Sequence, residues 1–209
     1  MSTAAAPAHG VPAIHRDYQG AKIGMWIFLF TEIILFGGLF ILYSAYRAKY
    51  PQDFHNGGQH LDFRIGVGNT FILLTSSLTI ALSITALQKG KKGLCLLLMA
   101  VTILMGAAFL GNKYVEWSHE IHEGIYPNSP ELLQHPPGEI LFYGLYFTMT
   151  GLHGLHVIAG MLFLAIVLGL VAGGRVRPDD HILLENGGLY WHLVDVIWIF
   201  LLPLFYLAA

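Results

Sequence analysis

The sequence predicts an all-α membrane protein: a five-transmembrane-helix bundle with its N-terminus cytoplasmic and its C-terminus periplasmic. Three observations predict it. Of 209 residues, 55% are hydrophobic and 11% charged, against about 25% charged in an ordinary soluble domain. Five apolar runs are long enough to cross a hydrocarbon core of about 30 Å as helices. The cations between those runs are unevenly shared, as the positive-inside rule requires. A soluble helical fold would need polar faces around its core, and these runs have almost none. Strands of a membrane barrel would alternate polar and apolar residues over about 10 positions, and these runs do not alternate.

The opening MSTAAAPAHGVPAIHRDYQG is polar and lacks an apolar h-region, so residues 1–21 are expected to form an aqueous tail and not a cleaved signal peptide. Residues 22–209 are expected to form one membrane domain. Its first span is placed at Lys22–Tyr46, and Pro51 with Gly57-Gly58 marks the loop after it. The second span, Val67–Leu87, meets the third, Leu94–Trp117, across the short turn Lys89-Gly90-Lys91-Lys92-Gly93. Pro127, Pro130, Pro136 and Pro137 break the chain before the fourth span, Glu139–Val171. As one helix that span is about 50 Å long, more than a bilayer needs, so it should tilt or project into water. Glu139 falls in its first turn, where a negative charge complements the helix dipole. Gly173-Gly174 and Pro178 precede the fifth span, Leu184–Leu207, which Pro203 should bend near its end.

With the N-terminus inside, Arg16, Lys22, Lys89, Lys91, Lys92, Arg175 and Arg177 lie inside, and Arg47, Lys49, Arg64 and Lys113 lie outside. The net charge is −2. The small basic cluster at Lys89, Lys91 and Lys92 is a loop feature, and nucleic acid is not expected as a partner. Cys95 is the single cysteine; it allows no disulfide within the chain and no Cys-based structural metal site, and reads as a small packing residue.

The polar residues inside the spans carry the functional question. Glu32, in "FLFTEIILFGGLF", lies about 15 Å along its helix from Lys22, near the midplane, where an ionised carboxylate costs several kcal/mol unless paired. It is therefore protonated, partnered or facing water. It serves either a proton relay, a lipid-headgroup contact or a helix contact, or it is a neutral acid with one interhelical hydrogen bond. His153 and His156, in "TGLHGLHVIAG", are three apart and share a helix face, with Gly151, Gly154 and Gly160 keeping that helix slim. A haem needs ligands converging from two sides, and zinc or di-iron needs more ligands nearby. His119 and His122 form a second HxxH, but His153 lies about 20 Å into the next span, so the two pairs should not meet. No metal site is expected, and the first pairing expected is Glu32 with His153 or His156. In "YWHLVDVIWIFLLPLF", His192 and Asp195 are three apart and can satisfy one another, and Trp191 and Trp198, one heptad apart, suggest a packed seam. No strained Ser or Cys motif accompanies them, so no catalytic residue is expected.

Three segments together, "WIFLFTEIILFGGLF", "FYGLYFTMTGLHGLHVIAG" and "ENGGLYWHLVDVIWIFLLPLFYL", resemble the cytochrome c oxidase subunit III family of haem-copper terminal oxidases in its short, five-helix bacterial form. A fourth, "KYVEWSHEIHEGIY", is similar to the stretch closing a family helix, with Glu116 and Gly124 at matching positions. The resemblance runs from about Lys22 to the end of the chain. It implies a subunit of the bacterial cytoplasmic (inner) membrane without a redox cofactor of its own, haem and copper being held by partner subunits. Its expected partners are the haem-copper subunit I, the copper-site subunit II and membrane phospholipids. It implies support of proton uptake and of the catalytic subunit's stability during aerobic electron transport. The family's membrane glutamate maps onto Glu32 and its HxxH pair onto His153 and His156; Glu116, Trp191, His192, Asp195 and Trp198 are expected to be structural. Long members have two further helices, absent here, and a basic residue of some relatives is replaced by Leu170, with Arg175 following later. The alternatives within the resemblance are a quinol oxidase subunit III and the homologue that accompanies nitric oxide reductase. From other classes, a di-iron membrane enzyme would need several His boxes at one depth, and a proton-coupled transporter would show repeats or broken helices; the sequence displays neither pattern.

Overall fold

A computed structural model describes residues 18–207. The tail expected over residues 1–21 thus lies largely outside the described residues, and its last part, from Tyr18, is helical. Among the described residues there are no strands, and five helices are long and apolar enough to cross a membrane. These are α1 (Tyr18–Lys49), α3 (Phe63–Gln88), α4 (Lys92–His122), α5 (Pro137–Ala172) and α6 (Ile182–Leu202). Each begins or ends beyond its apolar run, because good helix formers at the ends continue the backbone ladder into the polar boundary.

The segment read as the first loop is a helix, α2 (Pro51–Gln59). Proline there is a starter and not a breaker, since it stands at the first helical positions, where its missing N–H costs nothing. Gly57 is a packing residue: a Cβ on it would lie 2.6 Å from the Phe142 ring of α5. Asp53 of α2 in turn accepts the Gly138 N–H at 3.1 Å, satisfying an otherwise free amide in the first turn of α5.

Three helices stop by one device. Gly90, Gly124 and Gly174 have φ of 71°, 76° and 71°. The residue after each closes a bond to a carbonyl five residues back, Lys91 to Ala86, Ile125 to Glu120 and Arg175 to Leu170, at 2.8–2.9 Å. This is the Schellman ending, which uses orphan carbonyls and relies on glycine in the left-handed region. Pro203 ends α6 differently, in a wider π turn over Pro203–Leu207. Its missing N–H breaks the i→i−4 ladder there, so the expected bend takes the form of a change of helix type.

α3 and α4 form an antiparallel hairpin, α6 packs between α3 and α5, and α1 is applied to α5 and α6 from outside. Only 11% of the apolar stretch of α1 is buried, against 50% for that of the last span, Ile182–Leu207. Its outer face, with Trp26, Ile27, Phe30, Ile34 and Ile41, is apolar and uncovered. The centre is aromatic. Trp191 and Trp198 are fully buried, and their indoles donate to Ser76 (2.9 Å) and Thr70 (3.1 Å) of α3. Cys95 is buried, with Sγ 3.9 Å from Met99 Sδ.

The Trp191 ring fits because Gly106 on α4 has no side chain: a Cβ there would sit 2.8 Å from the ring, whereas one on Gly111 would meet nothing within 4 Å. Gly106→Ala should therefore destabilise the bundle by about 1–3 kcal/mol through overpacking. Gly111→Ala should be neutral or stabilising by up to about 1 kcal/mol. Thermal unfolding of the two variants in one detergent checks the difference.

Candidate functional site

The bundle interior holds its ionisable groups in separate clusters. Glu32, near the middle of α1, points at α5, where His156 lies two turns beyond Met149 on a helix already buried on that side. Glu32 Oε2 and His156 Nε2 are 2.8 Å apart, with side chains only 14% and 16% exposed. His156 Nδ1 is 2.8 Å from the Leu152 carbonyl. A carbonyl oxygen only accepts, so Nδ1 carries a proton. The Glu32–His156 contact then needs one more proton between its two atoms. Either an imidazolium donates to a carboxylate, or a carboxylic acid donates to a neutral imidazole. Both arrangements have zero net charge, which is what an apolar interior tolerates. Phe36 closes over the imidazole edge-on at 5.2 Å, and the Tyr190 hydroxyl donates to the His156 carbonyl at 3.1 Å.

His153 does not join this pair. It is fully buried between α4 and α6, 5.4 Å from the Phe109 ring and 5.2 Å from Trp198. The two histidines stand on one side of α5 but diverge, because the bundle places α1 against one edge of that face and Trp198 against the other. His119 and His122 are exposed near the end of α4, away from both. Among the described residues no three His, Cys, Asp or Glu side chains are grouped so as to hold a metal ion.

A second cluster was missed at Lys113, which the sequence reading counts as an outside loop cation. Lys113 lies within α4 and is buried. Its Nζ donates to Glu116 Oε2 at 3.0 Å, to the Tyr146 hydroxyl at 2.9 Å and to the Tyr206 hydroxyl at 3.1 Å. Tyr146 donates to Glu116 Oε1 at 2.6 Å, and Tyr206 donates to the same oxygen. The ammonium also stands 4.7 Å from the Tyr146 ring centroid and 5.6 Å from that of Trp198. This knot ties α4, α5 and the π turn with a charge pair whose oxygens and protons are all engaged. A Lys three residues before a Glu inside an apolar helix was the available signal; position near a span end concealed it.

His192 and Asp195 also depart from expectation. His192 Nδ1 pairs with the Ser77 hydroxyl of α3 at 2.6 Å, and not with Asp195. Ser77 also faces the buried Asp195 carboxylate. Ser77 thus supplies to His192 what the sequence assigned to Asp195, whose buried carboxyl oxygens have no hydrogen-bond partner of their own. α1 is fastened at three depths. Lys22 pairs with Glu185 of α6 at 2.9 Å, Glu32 pairs with His156, and the Tyr43 hydroxyl donates to the Leu204 carbonyl.

Fold and clusters define a multi-pass helical membrane protein with two neutralised pairs, Lys113–Glu116 and Glu32–His156, in its interior. Residues 8–209 match the family described as cytochrome c oxidase subunit III. The chain is 31% identical over 218 residues to the cytochrome bo(3) ubiquinol oxidase subunit 3 of Pseudomonas aeruginosa, covering 100% of this chain and 99% of the relative. It is 32% identical over 200 residues to the cytochrome c oxidase subunit 3 of Thermostichus vulcanus, covering 93% and 90%. With the cytochrome c oxidase subunit 3 of Allomyces macrogynus it shares 32% over 190 residues, 87% of this chain but 64% of that longer protein. The chain belongs to the cytochrome c oxidase subunit III family, and so to the haem-copper oxidases, which are oxidoreductase complexes of several subunits.

Removing one partner of a buried ion pair costs about 3–5 kcal/mol, because the other charge is left uncompensated. Lys113→Met should lower stability by that order, and Lys113→Met with Glu116→Gln should recover a substantial part. A thermal-denaturation double-mutant cycle on the purified complex measures the recovery.

Proposed function

We propose that this chain is the non-redox subunit III of a respiratory cytochrome c oxidase in a bacterial cytoplasmic membrane. Its part is to sustain proton uptake and to stabilise the catalytic subunit. The observation that carries the reading is the Glu32–His156 pair. It is a neutral, proton-sharing couple at mid-depth, in a chain of the subunit III family. Such a couple can hold a proton between Oε2 and Nε2, on either atom, with no net charge in the hydrocarbon. Haem and copper are assigned to partner subunits I and II, and this chain's own residues are assigned to packing and proton handling.

The orientation proposed is N-terminus in the cytoplasm and C-terminus in the periplasm. With Lys113 withdrawn into the bundle, Arg47, Lys49 and Arg64 remain on the outside, and the asymmetry toward the inside grows. Phospholipid is a proposed partner at the inner end. There a cleft of about 390 Å³ is lined by Tyr18, Leu170, Arg175 and Ile182. Apolar walls suit an acyl chain, and Arg175 supplies the basic group that Leu170 does not.

A ubiquinol-oxidising complex is the second reading, favoured by the end-to-end match to the Pseudomonas aeruginosa subunit. Extraction in mild detergent by a tag on this chain, followed by an optical spectrum, mass spectrometry and turnover with reduced cytochrome c and with ubiquinol, separates the readings. Haem, a copper-site subunit and cytochrome c oxidation are expected. Ubiquinol oxidation alone would replace the donor, and a colourless chain that transports solute would overturn the oxidase reading.

Glu32→Gln keeps the geometry and a hydrogen bond, since the amide can donate to the His156 Nε2 lone pair while Nδ1–H stays on Leu152. Assembly should be intact. The lifetime of activity during continuous turnover should shorten by less than about tenfold, because one strong, proton-sharing hydrogen bond is weakened to an ordinary amide–imidazole bond and none is lost. Progress curves of oxygen consumption read that lifetime.

A further inference from the structure

The connection between α5 and α6 ends at His181, which touches α1, α3 and α6. Its backbone N–H donates to the Tyr18 hydroxyl at 2.8 Å. Its Nδ1 lies 2.7 Å from the Pro178 carbonyl, so Nδ1 carries a proton, a carbonyl being an acceptor only. Nε2 meets two groups. Glu185 Oε1 of α6 is 3.0 Å away, and Gln88 Nε2, at the end of α3, is 3.1 Å away.

Those two neighbours demand opposite states of the ring. A carboxylate accepts, so it requires an Nε2–H. An amide NH₂ donates, so it requires the Nε2 lone pair. With Nδ1 already protonated, the first state is the imidazolium and the second is the neutral ring. The groups facing His181 leave this choice open. From α1 come Tyr18 and Lys22, and the Lys22 ammonium holds the other oxygen of Glu185, Oε2, at 2.9 Å. α3 brings only the uncharged Gln88, α6 brings Glu185, and Asp179 and Asp180 precede the histidine in the connection.

We propose that His181 is a proton-operated latch between the end of α3 and the start of α6. In the neutral state the ring accepts from Gln88 and holds the last turn of α3. When a proton from water reaches Nε2, the new N–H turns to Glu185, and the Gln88 amide loses its acceptor. The Lys22–Glu185 pair persists in both states because it uses the other carboxylate oxygen, so α1 stays fastened while the last turn of α3 loses its tie to His181. Side-chain exposures of 16% for His181 and 21% for Glu185 place the latch at the aqueous boundary, within reach of that proton. Gln88 leads directly into the α3–α4 turn, which keeps its own backbone closure and the bond from Lys92 Nζ to the Ala172 carbonyl at 2.8 Å, so the segment loosened is the last turn of α3. The latch does not depend on the donor or the orientation proposed above.

Hydrogen–deuterium exchange of the tagged chain in its purified complex tests this at about pH 5.5 and about pH 8, either side of the range in which imidazole titrates. After correction for intrinsic rates, the amides closing α3 should exchange about fivefold faster at the lower pH, the worth of one lost hydrogen bond. Gln88→Ala, a change at an exposed helix end, should exchange fast at either pH, and His181→Gln, whose amide oxygen accepts from Gln88 whatever the pH, should exchange slowly at both. Equal corrected rates in the wild-type chain, or a pH response surviving in either variant, would overturn the latch. Should His181→Gln fail to assemble, the wild-type response and its loss in Gln88→Ala decide the matter alone.

Discussion

A charge in hydrocarbon is costly unless it is cancelled where it stands, and two buried pairs of this bundle answer that constraint in different ways. The Lys113–Glu116 pair is ringed by the Tyr146 and Tyr206 hydroxyls, so that ammonium and carboxylate are both multiply engaged. The Glu32–His156 pair has fewer partners and cancels its charge by sharing a proton. The first arrangement suits permanence: separating its members would strand two charges. The second suits exchange, because either atom of the pair can own the proton at no change in net charge.

The same constraint explains where α1 is held. Helices in a bilayer gain little from burying apolar side chains against one another, since lipid is equally apolar. Close packing and hydrogen bonds must do the holding, and α1 offers little packing, with its outer face uncovered. Its polar ties at Lys22, Glu32 and Tyr43 are spread over the start, middle and end of the helix. They set its register against α5 and α6 more firmly than they set its affinity.

The five spans were legible in the sequence because hydropathy is a property of long windows, and a run of about 20 apolar residues has few other uses. The pairing of Glu32 with one histidine of the HxxH pair was legible because a midplane acid must find a partner. What was not legible depended on neighbours distant in sequence. Gly57-Gly58 looks like a loop until Phe142 is set against it, and only then do the missing side chains become a fit for α2. Lys113 looks like a boundary cation until Tyr146 and Tyr206 are brought round it. The three-residue spacing of His192 and Asp195 suggested mutual pairing, but the imidazole bonds to Ser77 on α3 instead. Spacing within one helix predicts which groups share a face; it does not say what the next helix presents to them.

These points bear on why a carboxylate would be kept on the most exposed helix of the bundle. On α6, half buried, a lost hydrogen bond would be one contact among many. On α1, the Glu32–His156 contact supplies the only mid-depth polar tie among the described residues. Any event that removes its shared proton leaves a net charge at that depth, with Phe36 over the imidazole and no second cation beside it. The pair therefore makes the seating of α1 depend on one hydrogen-bonded contact, at the place where this helix is least supported by packing.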